Sequence, residues 1–407
     1  MKHTGLLLSN RIDRQRLIEE LLTHTKHEAF AALSTLKGLL FSNLAIEKMI
    51  ATEQRLQQAM VGERYLHSYS SGERKNIFLD YLIQQNPGYL VLDAVFDHLD
   101  PQSKALLSQK IQDCSRHIKL IQIESRAQNF LPLLETRLCV EDNSFLFRTL
   151  EERSDTIATP ISSLPKLKSS FRLEGKEMLR FGGVSVQYDG RPIVSNIHWT
   201  ILQGDFWQLV GPNGSGKSTL LSLVTGDNPK GYGQELYIFG RKRGTGESVR
   251  EIKKHIGYYS PVLAEMFWRF QSLEQMILSG FYDSVGLYVK PTSIHKKIVR
   301  EWLKALDLLS LANTPYTQLS LGLQRITLII RAFVKQPPLL ILDEPLEGLD
   351  EEGVALVCNL INRLVAETNT TIIYVSHQVE ERIKPKEVYA LSPSEEGSSG
   401  RKTSVNL

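Results

Sequence analysis

The stretch Gly211-Pro212-Asn213-Gly214-Ser215-Gly216-Lys217-Ser218 constrains this chain more than any other. It fits G-x-x-x-x-G-K-[ST], a pattern that cradles phosphate when it follows a strand and opens a helix. Both flanks comply. Phe206-Trp207-Gln208-Leu209-Val210 reads as a buried strand, and Thr219-Leu220-Leu221-Ser222-Leu223-Val224 reads as the first turns of a helix. The residue types explain the chemistry. Glycines let backbone N–H groups turn inward and come close to phosphate oxygens. The helix start adds a favourable partial charge. Lys217 brings a mobile cation to the terminal phosphates, and the Ser218 hydroxyl is placed to ligate Mg²⁺.

A chain of 407 residues has room for two domains and a large core. Its net charge of +3 gives no electrostatic case for nucleic acid. The three cysteines, Cys114, Cys139 and Cys358, show no metal-type or paired spacing, so a reduced, cytoplasmic setting is expected. Leu6-Leu7-Leu8 is too short for a targeting core, so no signal peptide is expected. Nor does any apolar run approach the roughly 20 residues of a membrane helix. Contact with a membrane would have to come through another protein, placing this chain at most peripherally on the inner face.

Residues 11–62 read as helical, with a second periodic stretch over 30–60. Tyr69 to Arg74 is a small-residue break before a helix over 75–85. Tyr89-Leu90-Val91-Leu92-Asp93 is a buried strand ending in a carboxylate, and Leu120 to Ile123 is another strand. Residues 151–176 have linker composition, with Thr159-Pro160, Ser162-Ser163, Pro165 and Ser169-Ser170. The expected organisation is therefore one domain over 1–150, a linker over 151–176, a second domain over 177–395 and a flexible tail over 396–407.

The two domains repeat. Ser70-Ser71-Gly72 matches Ser320-Leu321-Gly322, Pro87 matches Pro337, Asp93 matches Asp343, and Leu99-Asp100 matches Leu349-Asp350, all 250 positions apart. The first copy has no glycine-rich loop before Ser70 and reads as partial. Missing strands would leave it with an open sheet edge and an exposed apolar patch.

In the second copy, Leu339-Leu340-Ile341-Leu342-Asp343-Glu344 reads as a strand buried on both faces and ending in two acids. Such strand ends line ligand crevices in open α/β sheets. Asp343 is the candidate Mg²⁺ ligand, and Glu344 the candidate base for an attacking water. Thr371 to Ser376 is a β-branched strand that delivers His377 to the same edge, where an imidazole can reach a terminal phosphate. Ser320 and Gly322 start a helix, which suits a plain cap or an anion site. Tyr188 is a candidate platform for adenine, or a core aromatic.

These motifs resemble those of the ATP-binding cassette ATPases: the Walker A loop over 211–218, the signature over 320–325, Walker B over 339–344, the D-loop over 346–350 and the switch His377. The stretches WQLVGPNGSGKSTLLSLVTGD, IFGRKRGTGESVREIKKHIGYYS and LLILDEPLEGLD are similar to the twin-cassette cytoplasmic subfamily of molybdenum-transport and photorepair ATP-binding proteins. The resemblance implies an α/β P-loop NTPase fold of cassette type: a mixed sheet with helices on both faces plus a helical subdomain, preceded by a partial second copy. It also implies Mg-dependent ATP hydrolysis, with ATP and Mg²⁺ as cofactors, in the energy-coupling subunit of a transporter (for molybdate, by the subfamily) or a soluble regulator. A membrane permease and a second copy of the chain are the implied partners. In the family's head-to-tail pairing, ATP on residues 211–219 is closed over by Ser70, Ser71 and Gly72.

Several positions depart from the family pattern. Ala94 stands where Glu344 stands in the second copy, and Arg126 or Ala127 stands opposite His377. Ser260 and Pro261 follow the strand His255 to Tyr259, where a Gln is usual. Two other readings stay open on sequence: a non-catalytic nucleotide switch, and a ribosome-associated factor.

Overall fold

The computed structural model describes residues 2–23, 28–97, 99, 101–140, 143–150, 163–165, 171–173, 175–266, 270–376 and 380–403. The chain divides into two compact units. One comprises Met1–Thr156 with Gly348–Glu352, and the other Ile157–Glu347 with Gly353–Leu407.

The first unit is built on a six-stranded sheet. Its strands are β1 (Thr4–Leu8), β2 (Gly38–Ser42), β3 (Tyr89–Asp93), β4 (Lys119–Glu124), β5 (Thr136–Val140) and β6 (Phe147–Thr149), in the order β2-β3-β4-β1-β5-β6. Its helices are α1 (Arg14–Leu22), α2 (Asn43–Leu56), α3 (Ser71–Gln84) and α4 (Pro101–Cys114). Leu6-Leu7-Leu8 lies in β1, paired in parallel with β4 on one side and β5 on the other. A short apolar run bounded by polar residues is a strand buried on both faces.

The helical reading of 11–62 is corrected at Gly38–Ser42, which pairs with β3 from Gly38↔Tyr89 to Ser42↔Asp93. Five residues are too few for periodicity to separate strand from helix. Gly38 is required there, because a Cβ would lie 2.1 Å from Tyr89 Cζ.

Among the described residues both sheet faces carry apolar cover in place of the expected bare apolar face, while β2 and β6 are each paired on one side only and leave open edges. On one face, Leu17, Ile18 and Leu21 of α1 join Phe30, Leu33 and Phe145 in covering Leu6, Leu8, Val91 and Ile121. On the other, Phe78, Leu79, Leu107 and Ile111 cover Leu90, Leu92 and Leu120. Burial of such side chains at roughly 1.5–3 kcal/mol each is the main stabilising term.

The second unit contains two sheets. Its strands are β7 (Glu177–Tyr188), β8 (Arg191–Leu202), β9 (Phe206–Val210), β10 (Leu236–Ile238), β11 (Arg241–Lys242), β12 (Ile256–Tyr259), β13 (Leu339–Asp343), β14 (Thr371–Val375), β15 (Glu387–Ser392) and β16 (Ser399–Thr403). The order β12-β13-β14-β9-β15-β16 reproduces the first unit's sheet strand for strand, with β9 in the place of β1. A four-stranded antiparallel sheet, β11-β10-β7-β8, is added, and it has no counterpart among the described residues of the first unit. The helices are α5 (Lys217–Thr225), α6 (Val249–Lys254), α7 (Pro261–Glu265), α8 (Leu273–Ser279), α9 (Ser293–Ala305), α10 (Leu321–Phe333) and α11 (Glu351–Glu367).

The flexible tail over 396–407 is corrected within its described part. Residues 399–403 form β16, antiparallel to β15. Ladder bonds on an edge strand need no apolar side chains. Gly400 is covered by the Tyr389 ring, which would meet a Cβ there at 2.3 Å. Most of the 151–176 linker lies outside the described residues. Within it, Leu164 is buried and its N–H donates to Glu367 Oε2 at 2.8 Å.

Candidate functional site

The loop between β9 and α5 is residues 211–216. Gly214 and Gly216 hold φ of 78° and 90°, the left-handed region that favours glycine. A Cβ at Gly216 would also lie 2.5 Å from Val194 Cγ1. Gly216 is the N-cap of α5 and offers no side-chain acceptor, so no side chain caps the first N–H groups of that helix. The Ser215 hydroxyl is buried without a hydrogen-bond partner. A cradle of uncapped N–H groups and an orphaned hydroxyl fits a bound phosphate.

Lys217, first residue of α5, folds its amine back on the loop, donating to Gly211 O at 2.6 Å and Pro212 O at 3.0 Å. Burial lowers its pKa, and the charges of Glu344 and Asp343 oppose that shift. The acids come from the end of β13, two strands from β9. Burial, then the adjacent Glu344 charge, pushes the Asp343 carboxyl up to about 6. Glu344 takes φ +47°, and its N–H donates to Val375 O at 2.9 Å, which fixes this strained residue on the sheet edge.

A cavity of about 690 Å³ gathers these groups. Asn213, Gly214, Ser215, Gly216, Lys217, Ser218 and Thr219 line it, with Asp343, Glu344 and Glu347 opposite. Gly211 and Pro212 lie behind the loop as acceptors for Lys217 rather than on the wall. Ser260 and Pro261 also line the cavity. Ser260 is spent as the cap of α7, accepting from Leu263 N at 3.1 Å.

Sequence reasoning missed Tyr258 and Glu347, both on the cavity wall. The Tyr258 hydroxyl donates to Asp343 Oδ2 at 3.5 Å. Its position two residues before Ser260 in β12 was the available signal.

The other expected site residues are placed less centrally. Tyr188 is half exposed at the end of β7 and accepts from Asn228 Nδ2 at 2.8 Å; it is not on the cavity wall. His377 lies outside the described residues. In the first unit, Ser70 caps α3 in a capping box with Glu73, while Ser71 is exposed and Gly72 buried. Ser320 caps α10 in the same way through Leu323 N, without an acidic partner.

The two units share more than motifs. Lys75 donates to Val95 O and Asp97 O, and Arg325, 250 positions later, donates to Pro345 O and Glu347 O. Ala94 keeps the φ of +47° that Glu344 has.

A glycine-rich cradle at the carboxyl edge of a parallel sheet, two facing acids and an attached antiparallel sheet define a nucleotide-binding ATPase domain of cassette type. Residues 194–347 match the ABC transporter family model. ModF of Escherichia coli (strain K12), an ABC transporter ATP-binding protein, is 35% identical over 79% of this chain and 69% of its own length. Uncharacterized ABC transporter ATP-binding protein C323.04 of Schizosaccharomyces pombe is 30% identical over 78% of this chain, which spans 66% of that protein. The structure of archaeal ribosome recycling factor aABCE1 with ribosomal stalk protein aP1 aligns over 99% of this chain at TM-score 0.64 and 13% identity, a likeness of fold. This chain belongs to the ABC transporter ATP-binding proteins, an ATPase family with an α/β P-loop fold. No helix among the described residues is long and apolar enough to cross a membrane.

Proposed function

We propose that the second unit binds and hydrolyses Mg-ATP, with Gly211 to Thr219 holding the triphosphate. The observation that carries this is Lys217, whose amine is parked on two carbonyls of its own loop and faces Asp343 and Glu344. On nucleotide binding, the amine leaves those carbonyls for the terminal phosphates, and the N–H groups at the start of α5 donate to phosphate oxygens. Ser218 and Asp343 would hold Mg²⁺, which would neutralise charge on the phosphates. Glu344 orients and deprotonates the attacking water, His377 contacts the terminal phosphate, and Tyr188 supplies the adenine platform. Ser70, Ser71 and Gly72 act as a signature-type helix start for the hydrolytic state.

The chain works in the cytoplasm as the energy-coupling subunit of a transporter, recruited to a membrane permease. Molybdate is the cargo that the subfamily resemblance suggests. The test is steady-state phosphate release from Mg-ATP by the full chain. Glu344→Gln is expected to lower the rate by at least about 10²-fold while retaining nucleotide, and Lys217→Ala to lose both binding and turnover. Ser71→Arg is expected to retain binding and lose turnover. Equal rates in wild type and Glu344→Gln would overturn the assignment and leave a non-catalytic switch.

A further inference from the structure

The first unit has a strand, loop and helix where the second has its phosphate cradle. β1 occupies the sheet position of β9, and α1 follows it as α5 follows β9. The loop is Ser9-Asn10-Arg11-Ile12-Asp13, five residues with no glycine and none at positive φ. Ile12 is buried, anchoring the loop by an apolar side chain.

Two residues then fill the places a nucleotide would take. Asp13 caps α1, its Oδ1 accepting from Arg16 N at 3.1 Å, so a carboxylate already occupies the helix start that Gly216 leaves uncapped in α5. Arg14, first residue of α1 as Lys217 is of α5, turns away from its loop. Its Nε donates to Asp93 Oδ1 at 2.5 Å, Nη1 to Ser125 Oγ at 3.3 Å and Nη2 to Ile123 O at 3.1 Å. Asp93 is the counterpart of Asp343, and Ser125 and Ile123 lie at the end of β4, the counterpart of β14. All three guanidinium nitrogens are spent on the edge that faces the cavity in the second unit.

We infer that Asp13 and Arg14 are built-in substitutes for a nucleotide's phosphate and its facing cation. They tie the start of α1 to the ends of β3 and β4 without nucleotide, so that each chain binds a single nucleoside triphosphate. The fixed Arg14–Asp93 pair replaces a ligand that comes and goes, and the first unit does not change with the nucleotide cycle. This rests on the reading of Gly211 to Ser218 as the nucleotide site, and the experiment separates the two.

Equilibrium titration of the full chain with Mg-ATP is expected to give one site in wild type and none in Lys217→Ala. A residual site in Lys217→Ala would overturn the inference. Absence of binding in wild type would overturn the reading of Gly211 to Ser218 instead, and the pair is judged by melting alone. Arg14→Met and Asp93→Asn are each expected to lower the first unit's melting temperature by several degrees, since each leaves one partly buried charge unpaired. The double variant is expected to recover at least half of the larger loss, with or without ATP. Additive losses, or Arg14→Met melting as wild type, would overturn the inference. Should a single variant fail to fold, a folded double variant supports the pairing and an unfolded one counts against it.

Discussion

Gly322 stands second in α10, and a Cβ there would lie 2.8 Å from Gly353 Cα of α11. An ordinary contact needs 3.4–4 Å, so Gly322→Ala forces the two helices apart by roughly 0.6–1.2 Å. Overpacking of this kind costs about 1–3 kcal/mol. Alanine's better helix propensity returns less than about 1 kcal/mol near a helix start. The net loss is about 1–2 kcal/mol, which lowers the melting temperature by about 2–8 °C for a unit of this size. Gly353 has no side chain to trim, so no second substitution there relieves the contact. The first unit differs. A Cβ at Gly72 would meet Ser103 Oγ at 2.4 Å and Cβ at 2.8 Å, but Ser103 Cα only at 4.0 Å. Gly72→Ala should therefore be rescued by Ser103→Gly. Thermal melts followed by circular dichroism of Gly322→Ala, Gly72→Ala and Gly72→Ala with Ser103→Gly, beside wild type, read this directly. A Gly322→Ala protein as stable as wild type would refute the packing argument. So would failure of Ser103→Gly to restore Gly72→Ala. Loss of hydrolysis in Gly322→Ala with nucleotide affinity unchanged would then trace to helix displacement, not to a lost phosphate contact.

Glu124 is buried in β4, with Gln122 Nε2 donating to it at 2.9 Å, and burial pushes its carboxyl up to about 8. A raised acid is protonated in the fold and ionises on unfolding. The first unit should thus lose stability as pH rises from about 4.5 to 8, by about 4 kcal/mol at most. Urea melts at pH 5 and pH 8 should show this slope in wild type and its loss in Glu124→Gln; an unchanged slope would count against it. Ala94 at φ +47° keeps a strained backbone without the carboxylate that Glu344 carries. Ala94→Gly should stabilise the first unit by about 0.5 kcal/mol, relief of the strain exceeding the unfolded-state entropy that glycine adds. A lower urea midpoint would contradict this.

The phosphate loop, both acids and the repeat were legible because each depends on residue type at fixed spacing. Gly214 and Gly216 announce their positive φ, and Leu339 to Asp343 announces a buried strand. The first unit's fold was less legible. Leu6 to Leu8 and Gly38 to Ser42 are strands too short to show a period, and their burial is set by partners far away in sequence, as Leu7↔Glu124 and Gly38↔Tyr89 show. The Arg14–Asp93 pair was invisible for the same reason, since 79 residues separate its members. β16 was hidden by its polar composition, which an antiparallel edge pairing tolerates.

Nucleotide binding requires Lys217 to move from Gly211 and Pro212 to a triphosphate. A crystal structure of the full chain with Mg²⁺ and a non-hydrolysable ATP analogue tests this most directly. Phosphate density is expected along residues 211–218, with the Lys217 amine within hydrogen-bond reach of a terminal oxygen and its bonds to both carbonyls broken. A bound analogue whose phosphates lie elsewhere, with Lys217 still on its own loop, would contradict it.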